Sequence, residues 1–258
     1  MKALTSWPVP LAMTLLFAAL LWNSNASTAG ILAAAVGLAL VLLFWGMFRE
    51  MSVHADVSRA LSVGDAATAR RLAEVQLARR KGAAKAPFWL YRAMAHELAG
   101  QWQECLDAVD EARPQELRRG GAASWKLVAA CLRVGAWSEL GEVARARALF
   151  DEQVAPRVAV VGDSGSLLAQ LAEGRLRLAE GDLTGALARL TPLTRNIRLG
   201  PAQRAMAFHY LARASSKQGD ATAAERAQAQ ATALVSGGAF ARSPAAATTP
   251  AATTAPGA

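Results

Sequence analysis

The residues best placed to do chemistry lie between Arg157 and Ser166, in the run RVAVVGDSGS. A short apolar run followed by Gly-Asp-Ser-Gly is compatible with a strand feeding a phosphate-cradling loop, or with a nucleophilic serine at Ser164. A phosphate loop needs Lys and then Ser or Thr after its second glycine, so that a cation meets the β- and γ-phosphates. Here Gly165 is followed by Ser166 and Leu167. A nucleophilic serine needs a base and an orienting acid on a rigid scaffold. The three histidines, His54, His96 and His209, stand far apart without a supporting motif. Cys105 and Cys131 lack metal-ligand spacing and fall in apolar helical faces, as small core residues do. The run is therefore expected to be a connector, with Pro156 ending a helix begun at Trp137 and Ser166 capping the next over 167–180. The sequence predicts no enzyme activity, no cofactor and no bound metal.

The elements around that run are helical. Beyond Arg49 the chain is rich in Ala, Leu, Arg, Glu and Gln, the strong helix formers. The overall hydrophobic content of 53% owes its excess to the first 48 residues. A net charge of +8 invites a nucleic-acid reading. The arginines are nevertheless spread along every helix instead of forming a stripe, and no nucleic-acid motif accompanies them. Membrane orientation accounts for part of the basic excess more simply.

Two apolar stretches, 7–22 and 29–48, read as a transmembrane hairpin joined by the uncharged NSNAST. The second has no charge over 20 residues, which at about 1.5 Å per residue covers one hydrocarbon core. Trp7, Trp22, Trp45 and Phe48 lie near the ends, where aromatic rings favour the headgroup zone. Ser24-Asn25-Ala26 is also compatible with a signal-peptide cleavage site. In either case Arg49, Arg59, Arg70, Arg71, Arg79, Arg80, Lys81 and Lys85 place the C-terminal side of the second stretch in the cytoplasm.

From 49 to 235 one pattern recurs, in VGDAATARRLA, AGQWQECLDAV, VGAWSELGEVA, EGDLTGALARL and QGDATAAERAQ. Gly64, Gly100, Gly135, Gly181 and Gly219 are expected to end one helix in the left-handed conformation. The next residue, Asp in three of the five, caps the following helix. Five residues after each glycine stand Ala69, Cys105, Leu140, Ala186 and Ala224, where a small residue lets two helices approach closely. The glycines are 36, 35, 46 and 38 residues apart, a period that marks stacked helical pairs.

At these residues the chain resembles the tetratricopeptide repeat (TPR) family, with Trp89 and Ala93, Phe208 and Ala212, Trp102 and Trp137 as further partial marks. The resemblance implies an all-α fold: a right-handed TPR-like α-solenoid of about five helix pairs after the transmembrane hairpin. It also implies a membrane-anchored adaptor whose groove holds a partner protein at the cytoplasmic face of a bacterial inner membrane. Carried over residue by residue, the groove comprises His54, Leu90, Met94, Trp125, Leu171, Arg175, His209 and Arg213, with Arg133 and Lys217 nearby. Such a groove has an apolar N-terminal half and a basic C-terminal half, suited to a peptide with an acidic end. The layout of two spans and a helical body also resembles HemY-type inner-membrane repeat proteins. The alternative function is a structural subunit of a larger envelope machine without a soluble peptide ligand. The segment 236–258, dominated by Ala, Thr and Pro with Phe240 as its lone aromatic, is expected to be a disordered tail.

Overall fold

The computed structural model describes residues 28–114, 122–157, 163–235 and 240. The expected first span (7–22) and nearly all of the tail lie outside them, as do residues 158–162 of the connector. The chain divides into two compact units, Met1–Asp56 and Val57–Ala258. Among the described residues it is all-helical.

Helix α1 runs from Thr28 to Ser62 without interruption. Its stretch from Ala35 is the one described helix long and apolar enough to cross a membrane. In the first unit Leu43, Phe44 and Phe48 are exposed, the last at 72%. The sequence suggested a boundary at Phe48. No glycine, proline or cap separates Phe48 from Ser62, so the helix has no reason to stop there. It stops at Gly64, whose φ of 81° supplies the left-handed turn.

Among its described residues the second unit is built of five helix pairs. The C-terminal end of α1 pairs with α2 (Ala66–Arg79), and α3 (Ala86–Ala99) with α4 (Trp102–Glu111). Next, α5 (Ala122–Leu140) pairs with α6, which starts at Val143–Leu149 and widens into a π-helical turn at Phe150–Val154. The last two pairs are α7 (Asp163–Glu180) with α8 (Leu183–Thr194), and α9 (Pro201–Gln218) with α10 (Ala221–Leu234). One backbone bond recurs in every turn, from the N–H after the glycine to the carbonyl five residues earlier. It joins Asp65 to Ala60, Gln101 to His96, Glu142 to Trp137, Asp182 to Arg177 and Asp220 to Ser215, at 2.9–3.0 Å. Asp65, Asp182 and Asp220 also accept from the N–H three residues on, capping α2, α8 and α10.

The third turn therefore lies at Gly141 (φ 83°), six residues after the one expected. Gly135 is an interior residue of α5, and Leu140, expected in the packed position, is 42% exposed. The packed position is Ala146, which with Ala69, Cys105 and Ala186 has no exposed surface. With Gly141 in place the glycines are 36, 41, 40 and 38 residues apart, and the irregular interval of 46 disappears. Trp137 accordingly belongs to α5, and the helical residues after the π turn include Pro156. A proline there cannot donate to the preceding turn. Widening that turn lets Ala155 donate to Phe150 instead, and the Arg157 guanidinium covers the Gln153 carbonyl at 2.6 Å. Helix α7 begins at Asp163, so Ser166 is not its cap; its hydroxyl accepts from Gln170 one turn later.

The first helices of successive pairs, α3, α5, α7 and α9, pack on one another, and α2, α4, α6 and α8 each pack on the first helix of the next pair. The first and fifth pairs also meet. A Cβ built on Gly64 would lie 2.8 Å from Val235, and one built on Gly200 would lie 3.3 Å from Ser62. The row of helix pairs thus brings its last pair back against its first.

Candidate functional site

Between these helices lies a part-open pocket of about 260 Å³, to which every pair contributes through its first helix. Leu61 enters from α1, Met94 from α3, Cys131 from α5, Leu171 from α7 and Met206 from α9. Most of the surface is apolar. Cys131 presents no reactive thiolate, because burial holds its pKa up at about 12.

One ion pair stands in this apolar wall. Arg175 of α7, whose side chain is only 2% exposed, donates through Nη1 to Glu97 of α3. Its guanidinium faces the rings of Tyr210 (4.9 Å) and Trp102 (5.5 Å). Gly135 is what makes room for it: a Cβ there would collide with the guanidinium. Nε and Nη2 of Arg175 and the Tyr210 hydroxyl are buried without a hydrogen-bond partner.

Beside the cavity, and sharing Trp102 and Tyr210 with Arg175, is an aromatic chamber. Its occupant is Phe240, which is 3% exposed. The Phe240 ring lies 5.5 Å from His209, 6.0 Å from Tyr210 and 6.4 Å from Trp102. Gln228 of α10 joins His209 to this residue. Its Oε1 accepts from His209 Nδ1 at 3.2 Å and its Nε2 donates to the Phe240 carbonyl at 3.0 Å. Burial, and after it the nearby Arg213 guanidinium, pull the His209 pKa down to about 4, against the Gln228 hydrogen bond and Glu139. The expectation of a wholly disordered 236–258 is thus corrected at Phe240.

Three expected groove residues, Met94, Leu171 and Arg175, line the cavity. The others go elsewhere. Leu90 has no exposed surface and belongs to a core cluster with Ala93, Cys105 and Val109, against which Trp125 packs. Trp125 also sets its ring edge on Tyr91 at 5.4 Å. Arg133 pairs with Asp110 at 2.6 Å in a separate cleft beside Trp137. His54 belongs to the first unit and pairs with Glu50 one turn away. His209 lies in the aromatic chamber, Arg213 is held by both oxygens of Glu139 at 2.8 Å, and Lys217 is exposed. The expected basic half of the groove is therefore neutralised from within, since Arg175 and Arg213 each carry a carboxylate of the chain itself.

Sequence reasoning missed Cys131 and Gly135, because the third pair was framed on the wrong glycine. Counted from Gly141, they occupy the positions that Leu171 and Arg175 occupy before Gly181. It also missed Glu97 and the Trp102–Tyr210 pair, which only the tertiary fold brings together.

Among known proteins this chain matches no family model, no curated protein and no solved structure.

Proposed function

We propose that this protein is a membrane-anchored adaptor whose TPR-like solenoid holds an extended segment of a partner protein at the cytoplasmic face of a bacterial inner membrane. In this view α1 is one of two membrane spans. The observation that carries the reading is the cavity common to the first helices of all five pairs. Stacked helix pairs use such an inner surface for binding. A repeated turn with a repeated small contact residue is an economical way to build it. The basic flank of α1 favours a cytoplasmic body.

With Arg175 and Arg213 already paired, the surface offers apolar volume and aromatic edges more than free positive charge. The partner segment is accordingly apolar or aromatic at its anchor, a revision of the acidic-ended peptide. The test is a photoreactive residue in place of Met94 or Leu171 in intact cells, with Lys217 as a control. Expected is one partner protein, linked through a single stretch of its sequence, from Met94 and Leu171 and not from Lys217. The same products from all three positions, or none from the first two, would remove the reading.

A further inference from the structure

Phe240 occupies its chamber in a way that separates it from the core. The helical body is complete before it, since the contact between first and fifth pairs is made by Val235 against Gly64. Its sequence neighbours, Ser236–Ala239 and Ala241–Ala258, carry no other aromatic and no aliphatic side chain larger than Ala or Pro. Such a segment has nothing else with which to offset its ordering entropy. Burial of one aromatic ring is worth about 150–250 Å² of surface, and among these residues only Phe240 can supply it.

The chamber itself has two parts. The rings of Trp102, His209 and Tyr210 accept an aromatic side chain edge-on or tilted. The Gln228 amide reads the main-chain carbonyl of that same residue, without regard to its side chain. Recognition of a bound segment combines main-chain hydrogen bonds with side-chain pockets, and this chamber offers one of each. His209, by donating from Nδ1 to Gln228 Oε1, fixes which way that amide points.

We infer that this chamber is an anchor pocket for an aromatic residue of a bound segment, and that Phe240 is its resident internal ligand. The inference rests on the adaptor reading and specifies it: partner segments carry an aromatic anchor and must displace residue 240 to bind.

The test uses the full chain in detergent and a synthetic peptide of residues 236–247, SGGAFARSPAAA, beside the same peptide with Ala for Phe. The Phe240→Ala chain is expected to bind the Phe peptide at least tenfold more tightly than the unaltered chain does, and to ignore the Ala peptide. Equal binding by both chains, no discrimination between the peptides, or no binding at all by a folded Phe240→Ala chain would overturn the inference. A second measurement does not depend on that variant folding. With Phe240 replaced by a benzophenone analogue, irradiation should link position 240 to the segments holding Trp102 and His209. The Phe peptide should suppress those links and the Ala peptide should not. Absence of the links, or equal suppression by both peptides, would likewise overturn it. Should these fail while Met94 and Leu171 still capture one partner in cells, only the anchor pocket falls and the adaptor reading stands.

Discussion

Arg175 sets the character of the inner face, because it is a buried charge in an apolar wall. Removing one member of such a pair leaves the other uncompensated and costs about 3–5 kcal/mol, whereas replacing both with apolar residues is often neutral. We therefore expect Arg175→Met and Glu97→Met each to lower unfolding stability strongly, and the double variant to recover most of the loss. A chemical-denaturation double-mutant cycle on the full chain in detergent reads this out, and additive losses would show that the two residues do not act as a pair. His209 provides a second prediction at this scale. Its native pKa of about 4 lies below the usual 6.5, so the unfolded chain binds the proton more readily than the folded one. The neutral imidazole thus contributes fully above pH 6.5. Its contribution, about 3 kcal/mol at most, is lost as pH falls towards 4 and changes little below. Arg213, Arg175, Glu139 and Tyr210 surround the ring electrostatically or in contact, and burial is the largest cause of the shift. Phe240→Ala, which admits water, should therefore raise the His209 pKa towards its ordinary value in an NMR titration. A pKa left at about 4 would mean that Phe240 does not shield the ring.

At the scale of the element, the turns show which signals a sequence carries. Gly64, Gly100, Gly181 and Gly219 were legible because each combines a glycine, a cap or polar residue and a small residue five positions on. The third turn was misplaced because Gly135-Ala136-Trp137 imitates Gly100-Gln101-Trp102. The correcting signal was present in the size of one side chain: Leu140 is too large for a site that elsewhere takes Ala or Cys, and Ala146 after Gly141 fits. The Arg175–Glu97 pair was not legible, since its partners are 78 residues apart and no local pattern links them. Composition averaged over the tail likewise concealed Phe240, where one ring outweighs its neighbours. The two glycines also differ energetically. At Gly141 nothing lies within 4 Å of an added Cβ, so Gly141→Ala meets only the left-handed backbone, costing about 1–2 kcal/mol. At Gly135 the backbone is ordinary helix, where Ala is favoured over Gly by about 1 kcal/mol, but the Arg175 guanidinium occupies the space. We expect Gly135→Ala to destabilise the chain containing Arg175 and to stabilise the Arg175→Met chain. Denaturation midpoints of the four combinations check this, and the same sign in both backgrounds would show that Gly135 is not there for the arginine.

For the second unit as a whole, the consequential feature is the meeting of its first and last pairs. An open row of five pairs would present its inner surface as a groove, whereas here the ends touch and the surface narrows to a part-open pocket. At the contact Gly64 faces Val235 and Gly200 faces Ser62, so the backbone approaches its neighbours closely there. Entry of a partner segment by this route requires the seam to part. The geometry offers a direct way to hold it shut. A Cβ at Gly200 would lie 3.3 Å from the Ser62 Cβ, slightly inside the separation found across disulfides. Ser62→Cys with Gly200→Cys should therefore form a bond after a small adjustment. Cys105 and Cys131 are buried and free and should take no part. Linking residues this far apart in sequence stabilises the fold by about 4–5 kcal/mol in the chain-entropy account. The oxidised chain should melt higher than the reduced one and should lose photo-crosslinked partner at Met94 and Leu171, with capture restored by reductant. If the locked chain still captures its partner, the seam is a fixed part of the body, and segments must reach the cavity by another path.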